Sequence, residues 1–370
     1  MERMELMQTA SPARPNHAQP NHAQHRRRAV MSGALAALAA PFVRSAAAQQ
    51  QQAAALTPQL AELYEKAKPE GEVSIWAPGS ASVEWIPAEF AKRFPAVKVK
   101  WLGDQQASSR LIAESRAGRH TADVWTFSLG GTLEVQKRGL LQKVDWRQYG
   151  ASEKDLFFDS EAVATHNVIF VPVFSKSRLS REQVPGQWKE MLNPAWTDKL
   201  VSGTFMLPRL GGYLAIEWGF DEAERWIRTL IDQRKMLVTT APVANFLRSG
   251  EREMTVAEST SGAFLMNRDG LNVGYKLMDI VPASQFVLGM IKNAPRPNAA
   301  RLLIAWLLTP EAKTLIEQVA GQSDIRSNSV SPLARDIKTA GLKVIFEDEE
   351  TMNQRAEYYR KLVSLVRGQG

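Results

Sequence analysis

One local pattern, repeated four times, restricts the fold of this chain more than any other feature. A short apolar run ends in small, hydroxylated or glycine residues, and a segment with helical spacing follows. The four turns are Ala77–Ser82 (APGSAS), Ser128–Thr132 (SLGGT), Ser202–Thr204 (SGT) and Glu258–Gly262 (ESTSG). Apolar runs bounded in this way read as buried strands. Strands that alternate with helices build a mostly parallel sheet under helices.

Between Val73 and Leu141 the order is strand–helix–strand–helix–strand–helix. A strand at Asn167–Phe174 then carries the chain into a second run. There, strands Lys199–Leu207, Lys235–Val238 and Met254–Ser259 alternate with helices Gly212–Phe220, Asp221–Gln233 and Val243–Ser249. Ser284–Ile291 reads as a strand returning to the first sheet. A helix pair split at Thr309-Pro310 follows, and a helix over Glu349–Arg367 ends the chain. The pattern predicts an α/β protein of two lobes, each a mixed, mostly parallel sheet flanked by helices, with a cleft between them. The first lobe takes residues 49–165 plus 281–324, and the second takes 166–280 plus 325–370.

A length of 370 residues accommodates two such lobes, and 44% hydrophobic with 23% charged residues is ordinary globular composition. The absence of cysteine excludes disulfides, thiolate metal sites and cysteine nucleophiles. The formal charge of +7 is concentrated at the N-terminus, where residues 1–48 hold six arginines against Glu2 and Glu5. The remainder is nearly balanced, so nothing points to nucleic acid as a partner. The leader itself runs from Arg26-Arg27-Arg28 through the apolar stretch Ala29–Val43 to the small residues Ser45–Ala48. That is the layout of an export signal cleaved near Ala48. The arginines, the alanine-rich core and Arg44 favour the twin-arginine route over the general one. The apolar run is short and interrupted by Pro41, which argues against stable membrane insertion.

No catalytic signature is present: no G-x-S-x-G, H-E-x-x-H, phosphate-loop or dinucleotide-binding glycine motif occurs. His120 and His166 read as surface or hydrogen-bonded residues rather than general bases. Most tryptophans fall at core spacing. The sequence therefore predicts no catalytic residue, no metal ligand set and no cofactor.

The four turns suit a different task. Free N–H groups at helix starts, with hydroxyls beside them, bind oxyanions without needing a counter-charge. Ser and Thr are equally ordinary helix caps, so one such turn alone decides nothing. Two from each half make a shared cleft the better account. The candidate ligand contacts are Ser80, Ser82, Ser128, Gly130, Thr132, Gly203, Thr204, Glu258, Ser259, Thr260 and Ser261. Arg209 is added as either a ligand clamp or a surface residue.

Longer segments carry a family resemblance. ADVWTFSLGGTLEVQKRGLLQKVD (Ala122–Asp145), VPGQWKEMLNPAWTDKL (Val184–Leu200), LRSGEREMTVAES and NAPRPNAARLLIAWLLTPEAKTLIEQ are similar to elements of the periplasmic solute-binding proteins of ABC importers. The group they resemble is the extracellular solute-binding family 1, with its ferric-, thiamine- and phosphonate-type binders. The resemblance implies a type II, hinge-closing fold without catalysis. It also implies a monomer in the periplasm that delivers a small-molecule ligand to permease subunits. The ferric binders of that group place a tyrosine pair where this chain has Glu258-Ser259-Thr260-Ser261, and its only Tyr-Tyr is Tyr358-Tyr359 near the C-terminus. The expected ligand is thus a small anionic or zwitterionic organic solute, with Glu258 facing an amino group. A ferric complex, or an enzyme or sensor on the same scaffold, is the alternative.

Overall fold

The computed structural model of the protein describes residues 56–79, 83–326 and 331–367. The expected export leader lies outside the described residues. Thr57 caps α1 (Pro58–Ala67), its hydroxyl accepting the Leu60 N–H at 3.3 Å. The chain continues through β1 (Glu72–Ala77), α2 (Ile86–Arg93), β2 (Lys98–Gly103), α3 (Ala107–Arg116), β3 (Val124–Ser128) and α4 (Leu129–Lys137). Two short strands, β4 (Leu141–Gln142) and β5 (Leu156–Phe157), precede the 14-residue β6 (Ala162–Ser175).

The next stretch contains β7 (Leu200–Gly203), α5 (Met206–Trp218), α6 (Phe220–Asp232), β8 (Leu237–Thr239), α7 (Val243–Ser249), β9 (Met254–Ser259), α8 (Thr260–Arg268) and β10 (Val273–Tyr275). The 12-residue β11 (Ile280–Ile291) follows, then α9 (Pro297–Leu307), α10 (Pro310–Ala320), α11 (Pro332–Thr339), β12 (Lys343–Phe346) and α12 (Met352–Arg367).

The sheet order is β2-β1-β3-β11-β6-β9-β7-β8. β1 pairs in parallel with β2 and β3, and β7 pairs in parallel with β8 and β9. The two parallel groups are joined by the antiparallel strands β6 and β11. β11 pairs with β12 at Ile280–Ala283 and with β3 at Phe286–Met290, while β6 pairs with β11 up to Ile169 and with β9 from Phe170. Both strands are buried along nearly their whole length, including the polar Thr165-His166-Asn167 of β6 and Ser284-Gln285 of β11.

The expected mostly parallel, helix-flanked α/β class is the observed one. Side chains on either side of the joining strands form separate cores. One packs Phe90, Phe94, Trp146 and Trp306, and another packs Trp188, Tyr213, Trp226 and Leu362.

Several elements differ from the sequence expectation. The strand expected over Lys199–Leu207 ends at Gly203, and the helix expected from Gly212 begins at Met206. Gly211 and Gly212 lie inside this helix and serve close helix packing. A Cβ on Gly211 would lie 2.7 Å from Ile227 and 2.8 Å from Leu362, on α6 and α12. The sequence pattern predicts neither β12 nor α11; β12 is short and only half-buried, so it lacks an apolar signature.

Candidate functional site

The turns after β3, β7 and β9 lie at the carboxyl ends of strands, where open α/β sheets bind ligands. Each turn has its own local outcome. Of the Ala77–Ser82 turn, Ser80 and Ser82 lie outside the described residues.

At the start of α4, Ser128 is the N-cap, its Oγ accepting the Gly131 N–H at 3.3 Å. Thr132 is fully buried and accepts the Trp125 indole N–H at 3.2 Å. The Gly130 N–H, an orphan of the first turn, donates to Glu347 Oε1 at 2.9 Å. Glu347 is itself fully buried and accepts from Ser284 Oγ at 2.8 Å and Tyr213 Oη at 3.3 Å, and it pairs closely with Arg355. A Cβ at Gly130 would lie 2.8 Å from Glu347 Oε1 and 2.9 Å from Arg355 Nη2, so this turn needs glycine there. The Gly130 N–H at this helix start is thus met from within the chain. Its partner is the protein's own carboxylate, and Ser128, Gly130 and Thr132 spend these polar groups inside the molecule.

The start of α8 is arranged differently. Ser259 is the N-cap, accepting the Gly262 N–H at 2.9 Å, with Ser261 Oγ 3.1 Å from its hydroxyl. Glu258 folds its carboxylate over the same turn and accepts from Ser259 N–H at 2.8 Å and Ser259 Oγ at 3.2 Å. A Cβ at Gly262 would come within 2.2 Å of Glu258 Oε1. Burial pushes the Glu258 carboxyl above its ordinary pKa, outweighing its hydrogen bonds to Ser259.

Gly203, Thr204, Phe205 and Glu258 line one open cleft of about 230 Å³, closed at the side by Thr239–Ala241. Phe205 is 54% exposed, an unusual state for a large apolar side chain. Arg209, one turn into α5, places its guanidinium 5.0 Å from the Phe205 ring centroid and 5.7 Å from that of Phe170. No carboxylate pairs with Arg209 among the described residues, and desolvation lowers its pKa. Tyr359 meets the Phe205 ring edge-on at 6.4 Å. The result is a guanidinium framed by aromatic faces and free for a bidentate anion contact.

The predicted residues thus separate. Gly203, Thr204 and Glu258 share one cleft, Arg209 stands over a residue that lines it, and Ser259 and Ser261 cap the adjoining helix. Thr260 instead lines a larger cavity of about 710 Å³ with Lys176, Arg181, Tyr275, Glu317 and Asp336. Burial pushes the Tyr275 phenol up. Phe205, Glu347 and Arg355 escape sequence reasoning, because nothing in their local sequence marks them.

His166 is buried and stacks on Phe286 at 4.9 Å, and its Nδ1 lies 3.1 Å from Thr165 Oγ1. Desolvation lowers its pKa to about 3, which keeps the ring neutral. Among the described residues no group of three His, Cys, Asp or Glu is arranged to hold a metal ion, and no helix is long and apolar enough to cross a membrane.

A family model described as bacterial extracellular solute-binding protein matches residues 45–319. Among curated proteins none matches by sequence. Iron-bound HitA from Pseudomonas aeruginosa superposes with a TM-score of 0.64 at 16% identity, covering 81% of this chain and 99% of that one. The apo ferric ion-binding protein A of Pasteurella haemolytica gives 0.65 at 14%, covering 81% and 98%. AfuA from Actinobacillus pleuropneumoniae, solved with exogenous fructose-6-phosphate bound, gives 0.63 at 17%, covering 80% and 99%. At these identities the similarity is one of fold.

Proposed function

The chain belongs to the bacterial extracellular solute-binding proteins, and from that premise we propose that it is the binding component of an ABC importer. In this reading the leader exports it to the periplasm, where it works as a monomer and passes its ligand to membrane permease subunits. The ligand is a small polar organic solute that carries an anionic group. The two groups of parallel strands act as lobes, over residues 49–165 plus 281–324 and residues 166–280 plus 325–370. β6 and β11 serve as their hinge, and closure buries the solute.

The observation that carries the ligand class is Arg209. It is a partly buried guanidinium with no ion-pair partner among the described residues, set between Phe205 and Phe170 beside the cleft that Thr204 and Glu258 line. A desolvated cation without a counter-charge costs stability, and an arriving anion offsets that cost. The fructose-6-phosphate held by AfuA makes an organic phosphate a reasonable first probe.

The iron-bound relative of the same fold keeps a ferric complex as the competing reading. Against it, the turn after β9 offers Glu258, Ser259, Thr260 and Ser261 rather than tyrosines. Tyr358 and Tyr359 lie on α12, with Tyr358 against Phe220 at 5.3 Å and Tyr359 against Phe205.

A thermal-shift series separates the two. Phosphate esters, phosphonates, carboxylates, polyamines and ferric citrate are each titrated against the mature protein. Bound ligand at a hundred times Kd stabilises by about 2.7 kcal/mol, so a true ligand raises the melting temperature progressively with concentration. Stabilisation by organic anions, lost in Arg209→Gln, supports the proposal. Stabilisation by ferric citrate alone refutes it.

A further inference from the structure

Two ionisable side chains, one lining this cleft and one beside it, have no counter-charge among the described residues. Arg209 is one. Glu258 is the other: its carboxylate accepts only from Ser259, and no lysine, arginine or histidine nitrogen pairs with it. The two are tied to one place through Phe205, which lines the cleft together with Glu258 and carries the Arg209 guanidinium over its ring at 5.0 Å. Strand pairing agrees, because Glu258 and Ser259 lie opposite Val171 and Phe170, and Phe170 is the second ring under Arg209.

The position of Glu258 is built rather than incidental. Its carboxylate occupies the space where a Cβ on Gly262 would stand, so only glycine there lets it fold over the start of α8. That helix start gives the carboxylate partial compensation, yet burial still leaves it with a raised pKa. No cationic side chain stands against it among the described residues. The two residues do not pair with each other, so neither neutralises its neighbour.

Resting on the reading of this cleft as the solute site, we infer that the solute is a zwitterion, its anionic group held by Arg209 and its ammonium group by Glu258. Thr204, which lines the cleft, supplies a neutral hydrogen bond between them.

The test is calorimetric titration of the mature protein with matched pairs that differ only by an amino group. The pairs are O-phosphoethanolamine against ethyl phosphate, taurine against ethanesulfonate, and γ-aminobutyrate against butyrate. The aminated member of at least one pair binds about ten-fold tighter or better, as a charge-assisted hydrogen bond provides. Glu258→Gln erases that advantage, so that the two members of a pair bind alike, while Arg209→Gln weakens both. Equal affinity within every pair overturns the zwitterion and leaves the anion reading standing. Failure of all six probes overturns both. The matched-pair comparison uses the unmodified protein, so its outcome does not depend on any variant folding.

Discussion

The backbone N–H of Gly130 donates to the carboxylate of Glu347 across 2.9 Å, joining the start of α4 to a residue 217 positions further along the chain. Glu347 also gathers Ser284 on β11, Tyr213 on α5 and Arg355 on α12. One buried carboxylate therefore connects the first group of parallel strands, a joining strand and the C-terminal helix. Removing it leaves Arg355 buried without its partner, which costs about 3–5 kcal/mol. Glu347→Ala is expected to lower the unfolding free energy in urea by that order. Glu347→Gln, which keeps the shape but not the charge, falls between. A Glu347→Ala transition coincident with the parent's contradicts this role.

Gly130→Ala tests the same contact from the other side. The added Cβ meets Glu347 Oε1 at 2.8 Å and Arg355 Nη2 at 2.9 Å, and neither group is free to move away. Overpacking of this kind costs about 1–3 kcal/mol. Gly203→Ala is the control, since nothing lies within 4 Å of its Cβ and its stability stays at the parent value. Equal midpoints for the two variants in urea contradict the crowding at Gly130.

Arg209→Gln separates stability from binding. It removes a partly desolvated charge that has no ion-pair partner, so the apo protein keeps or slightly raises its stability while ligand affinity falls by about a hundred-fold or more. Calorimetric titration beside urea denaturation gives both quantities. A variant that loses stability and keeps its affinity contradicts the assignment.

His166 gives the protein a pH dependence of known sign. Its folded pKa, about 3, lies below its ordinary value of 6.5. Between these values the unfolded chain holds the proton that the folded protein refuses. Stability is therefore fully present above pH 6.5 and falls as pH drops, by up to about 1.4 kcal/mol per unit. His166→Gln removes this contribution, so its melting temperature changes less between pH 6.5 and 5 than that of the parent. Parallel profiles in that interval contradict the burial of a neutral imidazole.

Much of this molecule is legible locally. Apolar runs ending in Ser-Leu-Gly-Gly, Ser-Gly-Thr and Glu-Ser-Thr-Ser-Gly give the strand ends and the helix starts. The capping roles of Ser128 and Ser259 follow from the same words. Where local signals mislead, a distant partner is the cause. Gly211 and Gly212 sit inside α5 because Ile227, Leu362 and Arg355 press against them. β12 forms because Ile280–Ala283 offers it an edge.

The candidate site divides in the same way. That the chain has helix starts able to seat an oxyanion was determined by the sequence alone, because backbone N–H groups, hydroxyls and glycines are properties of neighbouring residues. Which seat is filled was decided only by the tertiary structure. Glu347 closes the one at α4, Glu258 folds over the one at α8, and Arg209 is left between two aromatic rings with no ion-pair partner among the described residues. Charge neutralisation acts through space over a few ångströms, and spacing along the chain does not encode which charges will meet.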